Sequence, residues 1–314
     1  MTYKKIEKYK IIIDDELNSI YNDGPKLLKE PIDHILNGGK RLRPILCLLS
    51  FESLKKEINN EVISIATAIE LLHIFTLIHD DIMDNDLMRH GNATIHHKWN
   101  IPIGILAGDA VLALALSKIN NSSNNIKESF NKALLKVCEG QALDIEYESL
   151  NSLSVDDYFD MIKLKTGYML GLSAQLGSLS AGLDLKSSNK FMDFGILLGK
   201  AFQLQDDLLE IVSTKEQMGK TLMSDVALNK KTYIFLIAEK YYPNEIKQIF
   251  DNFNSDNYKL NKRFKEFLHD NNIIKKCEIK IDSTFKQIDE LITDFNLDNK
   301  NLKLFVNNVR NRKF

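Results

Sequence analysis

The sequence predicts an all-α protein, and three observations carry that expectation. Residues that interrupt helices are scarce, with 5 prolines and 14 glycines in 314 residues, which leaves long stretches free to hold one period. The run Val62–Ile78 contains neither residue and is apolar nearly all round at helical length, the pattern of a helix buried on every side. From Lys240 onward the chain is rich in Asn and Lys yet keeps helical spacing, the pattern of peripheral helices. With 44% apolar and 27% charged residues, the chain can bury a sizeable core, in one large domain or two modest ones.

Residues 1–36 predict one or two amphipathic helices broken near Gly24-Pro25. Next comes Gly38-Gly39-Lys40-Arg41-Leu42-Arg43-Pro44. Its two glycines let the backbone turn sharply or approach a ligand. Lys40 and Arg43 stand three apart and can clamp a phosphate group together, or serve as a basic cap at a helix start.

The buried run ends in His79-Asp80-Asp81-Ile82-Met83-Asp84-Asn85-Asp86. Four carboxylates at the mouth of a buried helix repel one another and lose solvation. Either a cation holds them or the helix end is open to solvent. Asp80 and Asp84 lie one turn apart on one face and can reach the same ion. A carboxylate set without Cys-x-x-Cys or His-x-x-x-His spacing suits a hard ion such as magnesium (Mg2+) rather than zinc. The pattern recurs in Phe202-Gln203-Leu204-Gln205-Asp206-Asp207-Leu208-Leu209-Glu210, at the end of the apolar run Phe191–Leu204, with Asp206 and Glu210 again one turn apart. Two acidic mouths on two buried helices can face each other and hold a diphosphate between them through metal ions.

Arg89-His90-Gly91 places an arginine close enough to the first mouth to pair with a bound phosphate. His96 and His97 are adjacent, face different directions on a helix, and are expected to be hydrogen-bonding residues. Ile101–Leu116, broken by Pro102 and Asp109, is expected to be a core helix. It is too short and interrupted for a membrane span, which takes about 20 apolar residues. Ser117–Asn125 reads as a polar loop, and Gly140-Gln141-Ala142-Leu143-Asp144 sets Gln141 and Asp144 one turn apart. Ser154 is an N-cap with Asp156 and Asp157 in the first turn. Lys163-Leu164-Lys165-Thr166-Gly167 interrupts a core helix, as a kink facing a polar cavity or a surface lysine pair. Gly219-Lys220, Ser224-Asp225 and Lys230-Lys231-Thr232 form a loop whose cations suit a polyanionic ligand beside carboxylates. The closing Arg310-Asn311-Arg312-Lys313-Phe314 is basic and expected to be mobile, and no chemistry is visible past Lys240.

Net charge is −2 with the signs interspersed, so no nucleic-acid footprint is present. Cys47, Cys138 and Cys277 are widely spaced and are expected to be reduced core residues of a cytoplasmic protein. The N-terminus has no apolar signal core.

Taken in order, G-G-K-R-L-R-P, D-D-I-M-D, G-Q-A-L-D, K-T-G and F-Q-L-Q-D-D resemble the trans-polyprenyl diphosphate synthase family over roughly residues 35–235. The resemblance implies a single polyprenyl synthetase domain over residues 1–314, with residues 236–314 as peripheral C-terminal helices. It implies one large helical bundle around a deep central cavity, the isoprenoid synthase type I fold, usually as a homodimer. The implied activity is that of a magnesium-dependent prenyltransferase joining isopentenyl diphosphate to an allylic diphosphate (dimethylallyl, geranyl or farnesyl). Departure of the allylic diphosphate creates a carbocation, and neutralising the leaving charge favours it. By the same resemblance Asp80, Asp84 and Asp206 bind magnesium, with Asp81, Asp207 and Glu210 in support. Arg89, Lys165 and Lys220 hold the allylic diphosphate, and Thr166 and Gln203 steady the cation with oxygen dipoles. Lys40, Arg43 and His73 match positions that take the diphosphate of isopentenyl diphosphate, and the released diphosphate takes the final proton.

Two positions depart from the family pattern. His90 stands where a second arginine is usual, so binding of isopentenyl diphosphate is expected to be weaker or pH-dependent. Glu210 stands where Asp is usual and reaches one methylene farther. Product length is a matter of pocket depth. Phe75 lies five residues below Asp80, about 7.5 Å at helical rise, and Thr76 four below. In the family an aromatic at the Phe75 position acts as a floor. With no insertion in D-D-I-M-D and a small Thr76, the pattern resembles geranylgeranyl (C20) producers more than farnesyl (C15) ones. Two alternatives share part of the pattern. A class I terpene cyclase has an acidic helix mouth but binds no second diphosphate, so it has no use for G-G-K-R-L-R-P. A non-catalytic subunit of a heteromeric synthase is expected to lose the acidic motifs that this chain keeps.

Overall fold

The computed structural model describes residues 2–55, 57–89, 91–150, 152–212, 230–253, 257–295 and 300–312. It is a helical bundle, the all-α class that the sequence predicts. Helices α1 (Thr2–Asn18) and α2 (Lys26–Leu36) part at Gly24-Pro25, since proline's fixed φ suits a helix entrance. Helix α3 (Leu42–Glu52) runs against α4 (Asn60–Met83). Asn59 caps α4, its side chain accepting from the Val62 N–H at 2.9 Å, a contact worth about 1 kcal/mol. Val62, Ile65, Ile69, Leu71, Leu72, Ile74 and Ile78 of α4 are all buried, as its all-round apolar run requires.

After α4 comes a hairpin that the polar Arg89-His90-Gly91 stretch did not suggest. Strands β1 (Met88–Arg89) and β2 (Asn92–Ala93) pair antiparallel, and the short α5 (Ile95–Lys98) follows. Helices α6 (Ile101–Ile119) and α7 (Asn124–Glu148) shrink the loop expected over Ser117–Asn125 to residues 120–123. Ile119 and Ile126 are both buried, and tertiary packing of this kind extends helices past weak local formers. Helix α8 (Val155–Ile162) opens on a capping box. Ser154 Oγ accepts from the Asp157 N–H (3.1 Å), and the Asp157 carboxylate accepts from the Ser154 N–H (3.2 Å). A π-helical turn at Lys163–Gly167 follows, then α9 (Tyr168–Ser180) and α10 (Leu185–Val212).

Helix α9 lies against α10, α3, α7 and α4, while α4 packs on α6. Residues Met169–Leu179 of α9 are all buried, because its interspersed small residues let neighbouring helices come close. The remaining helices are α11 (Tyr233–Tyr241), α12 (Pro243–Phe253), α13 (Asn257–Asp270), α14 (Ile273–Asp294) and α15 (Lys300–Arg310). Helix α14 packs on α10, and α15 brings the chain back to α3, burying Leu302, Phe305, Val306 and Val309.

Two expectations about the core change. Cys47 and Cys277 are buried, but Cys138 is exposed. It lies on the outer face of α7 with Leu135, Ala142 and Ile145, also exposed. Helix α6 runs past Leu116 and is only partly core, with Ile101, Ile105, Leu106 and Leu116 exposed. By length and composition both α4 and α6 could cross a membrane, and α4 is mostly buried inside the protein.

Candidate active site

Helix α4 ends with Asp80 and Asp84 held a turn apart by the Asp84 N–H, which donates to the Asp80 carbonyl (2.8 Å). Lys230 Nζ stands 3.5 Å from Asp84 Oδ2. Asp81 points inward and is 2% exposed. It accepts a hydrogen bond from Arg89 Nε, and Arg89 Nη2 lies 3.5 Å from Asp86. The hairpin is what directs Arg89 back over α4, with Thr94 Oγ1 donating to the Asp86 carbonyl (2.7 Å) at its foot. Burial pushes the Asp80 carboxyl up to about 6. Asp84 and Asp144 add to the rise, while Lys165 and Arg89 oppose it. A carboxylate in that position is short of positive charge.

The π-helical turn sits wedged between α7 and α10. A Cβ on Gly140 would stand 2.4 Å from the Lys165 nitrogen, and one on Gly199 would stand 2.6 Å from the Gly167 Cα. Only glycine at both positions admits the turn. Lys165 Nζ donates to Asp144 Oδ2 (2.5 Å). Thr166 Oγ1 donates to Gln203 Oε1 (3.0 Å), and Gln203 Nε2 donates to Asp207 Oδ1 (3.0 Å). Asp207 also accepts from the Tyr158 hydroxyl (2.5 Å) and the Tyr233 N–H (3.2 Å). Asp207 is thus saturated by the protein itself and anchors α10 to α8 and α11.

Asp206 lies one turn beyond Gln203 and accepts a hydrogen bond from Arg312 Nη2. The crowded mouth desolvates its carboxyl and pushes its pKa up, against the pull of Arg312, Lys40 and Arg43. The 38% of its side chain that still reaches solvent tempers that push. Arg43 Nη1 donates to His73 Nε2 (2.9 Å), which makes Nε2 the acceptor and leaves the ring proton on Nδ1. Arg43 Nε is buried without a hydrogen-bond partner, and Lys40 is exposed.

The structure therefore joins Thr166 to Gln203, and Arg43 to His73. It sets Lys165 in the field of Asp80 and Arg43 in the field of Asp206. Two routes link the acidic mouths, one through the π-helical turn and one through His73 and Arg43. Among the described residues, no three His, Cys, Asp or Glu side chains gather closely enough to ligate one ion. Chain cations occupy the carboxylates instead: Arg89 at Asp81, Lys230 at Asp84, Lys165 at Asp144 and Arg312 at Asp206. His90, Lys220, Gly219, Ser224 and Asp225 lie outside the described residues.

Phe75 is buried, with its ring edge-on to His79 at 4.7 Å between centroids. His79 in turn lies over Gly108 of α6. Phe75 is therefore on the α6 side of α4, about 140° around the helix from Asp80. Thr76 is on the Asp80 side, and its Oγ1 donates to the His73 carbonyl (2.8 Å). The expectation for His96 fails, since both ring nitrogens are buried without a hydrogen-bond partner. Burial pushes its pKa down.

Two participants were missed from the sequence. From the sequence Arg312 reads as part of a mobile tail, and no local pattern points it at α10. Tyr158 reads as an ordinary amphipathic-helix aromatic, and only its hydroxyl contact with Asp207 reveals its part.

Residues 25–270 match the family model described as polyprenyl synthetase. A short chain isoprenyl diphosphate synthase of Methanocaldococcus jannaschii is 37% identical over 233 residues, covering 73% of this chain and 71% of its own length. A geranylgeranyl pyrophosphate synthase of Geoglobus acetivorans is 37% identical over 245 residues, covering 71% and 76%. A crystal structure of a geranylgeranyl pyrophosphate synthase superposes with a TM-score of 0.91 at 33% identity, covering 98% of this chain and 99% of that one.

Proposed function

This chain belongs to the polyprenyl synthetase family, and from that premise we propose that it condenses isopentenyl diphosphate with an allylic diphosphate, giving geranylgeranyl diphosphate as its main product. The observation that carries the reading is the placement of two acidic helix mouths on either side of the Lys165-Thr166 turn, with the Arg43–His73 pair linking them.

Lys165 and Arg89 bind the allylic diphosphate from the α4 side, exchanging Asp144 and Asp81 for phosphate oxygens, and Lys220 joins them. Thr166 and Gln203 are already aligned by their mutual hydrogen bond. They turn oxygen dipoles toward the carbon that loses the diphosphate. Lys40, Arg43 and His73 hold isopentenyl diphosphate, with the unpartnered Arg43 Nε aimed at its phosphate and His90 in support. The double bond attacks the allylic cation, and a proton then leaves to the released diphosphate.

The residues fit a hard divalent cation. The donors are all carboxylate oxygens, and Asp80 is a carboxylate whose burial outweighs the pull of Lys165 and Arg89. Asp80, Asp84 and Asp206 would hold magnesium, which when bound would neutralise charge on the leaving diphosphate. We assign the working unit to a homodimer of single-domain chains in the cytoplasm. The exposed apolar residues Ile105, Leu106 and Leu116 of α6, with Leu135 and Ile145 of α7, support the dimer as a surface that a partner would cover. Helix α15 packing back on α3 supports the single domain.

The purified chain, given magnesium, isopentenyl diphosphate and dimethylallyl, geranyl or farnesyl diphosphate, is expected to yield the C20 diphosphate by mass spectrometry. Hydrocarbon formed from geranyl diphosphate alone would indicate a cyclase instead.

A further inference from the structure

Arg41 is the one cation of Gly38–Pro44 without a part in the proposed reaction, yet it is the most firmly held. It is 4% exposed. Its backbone takes φ 51, ψ 33, in the left-handed region that residues with a Cβ seldom adopt. Its guanidinium holds that shape through bonds to three elements. Nε donates to Asp14 Oδ1 on α1 (2.8 Å), Nη1 to Glu70 Oε1 on α4 (3.0 Å), and Nη2 to the Leu36 carbonyl at the end of α2 (2.5 Å). The last of these satisfies a carbonyl that a helix end leaves without an intrahelical partner.

Arg43, two residues on, is tied to the same α4 at His73. Glu70 and His73 are three apart, so the loop is pinned at two adjacent points on one helix face. Glu70 serves both arginines. Its Oε1 takes Arg41, its Oε2 is buried without a hydrogen-bond partner, and its charge acts on Arg43. Lys40 stands exposed beside this anchor. The preceding Gly38 and Gly39, at φ 91 and 96, contribute no stiffness of their own.

We propose that Arg41 is a positioning residue for the isopentenyl diphosphate subsite, and that the Asp14–Arg41–Glu70 network lets the N-terminal helix α1 set the spacing of Lys40 and Arg43. The inference rests on the assignment of Lys40, Arg43 and His73 to that substrate. Loosening the network spreads the loop over other conformations, and apparent affinity falls with the fraction that remains competent. The allylic side is built from the end of α4, the π-helical turn and α10, and keeps its geometry.

Steady-state kinetics with each substrate varied in turn test this. Asp14→Asn and Arg41→Lys are expected to raise the KM for isopentenyl diphosphate about tenfold, the scale on which supporting contacts tune a site. The allylic KM and kcat stay within about twofold. Asp14→Glu restores most of the loss. Ile13→Ala, which trims a buried residue of the same helix, lowers the melting temperature without that split. Should Arg41→Lys fail to fold, Asp14→Asn decides, because Asp14 is partly exposed. An unchanged KM in Asp14→Asn, or an equal rise for both substrates, overturns the proposal. If the unmodified chain forms no prenyl product, the enzymatic assignment fails instead, and calorimetric binding of isopentenyl diphosphate to the same variants still reads the positioning.

Discussion

Arg312 donates through Nη2 both to Asp206 Oδ1 and to the Phe202 carbonyl (2.9 Å), and its guanidinium lies 3.7 Å from the Phe202 ring centroid. A residue close to the end of the chain thus covers a carboxylate proposed to bind metal. A cation that reaches Asp206 competes with this arginine for the carboxylate. The pair is partly open to solvent, so the competition is modest. Arg312→Gln is expected to lower the magnesium concentration giving half-maximal activity about two- to fivefold. A magnesium titration followed by both turnover and melting temperature checks this, and an unchanged or higher midpoint sinks it.

Asp80 titrates near 6 in the fold against 3.8 for an unperturbed side chain, chiefly through burial. Between those values the folded chain binds more protons than the unfolded one, so stability falls as pH rises through the window from about 4 to 6. Above it the ionised carboxylate costs up to about 3 kcal/mol. Asp80→Asn removes that cost. The metal-free variant is expected to melt higher than the parent at pH 7.5, with the gain fading toward pH 4, while turnover is lost. Thermal melts in chelator at both pH values decide the point. A lower melting temperature at pH 7.5 would mean that neighbouring cations already compensate Asp80.

Much of the scaffold was legible because its signals are local. Ser154 followed by Asp156 and Asp157 announces a helix N-cap. Val62–Ile78 announces a buried helix by composition, and Lys163–Gly167 announces a break by placing polar residues and glycine in an apolar period. The family resemblance grouped Thr166 with Gln203, and Arg43 with His73, by expected role, and their hydrogen bonds appear only in the fold. What stayed hidden depends on contacts far apart in the chain. Arg41 and Arg43 look alike in a basic loop until Asp14, Leu36 and Glu70 surround one of them. Arg312 looks like a loose end until α15 delivers it to α10. The apolar content of α6 says core, but only packing reveals that Ile105 and Leu106 face outward.

The exposed apolar residues of α7 fall at Leu135, Cys138, Ala142 and Ile145, a spacing of three and four that makes one continuous stripe. With Leu106 of α6 it forms the surface assigned to the dimer. Leu106→Arg together with Ile145→Arg places two charges on each side of a twofold contact, where like charges without partners are strongly unfavourable. Sedimentation velocity is expected to show a dimer for the parent and a monomer for the double variant. A monomeric parent, or a variant that stays dimeric, removes this surface from the assembly.

Phe75 and Thr76 separate the two ways in which the shaft beside α4 can be closed. Thr76 shares a face with Asp80, whereas Phe75 lies on the α6 side against His79. A growing chain that follows the Asp80 face meets Thr76 first, and its small side chain leaves room to pass. The proposed floor at Phe75 lies one residue lower, toward α6. Phe75→Ala removes a floor and is expected to lengthen the product by one or more five-carbon units. Thr76→Phe places an aromatic about one helical turn below Asp80, on the Asp80 face and about 1.5 Å nearer than Phe75, and is expected to shorten the product toward farnesyl diphosphate. Mass spectrometry of dephosphorylated products reads both. If Thr76→Phe shortens the chain while Phe75→Ala leaves it unchanged, the floor lies on the Asp80 face and Phe75 is packing alone.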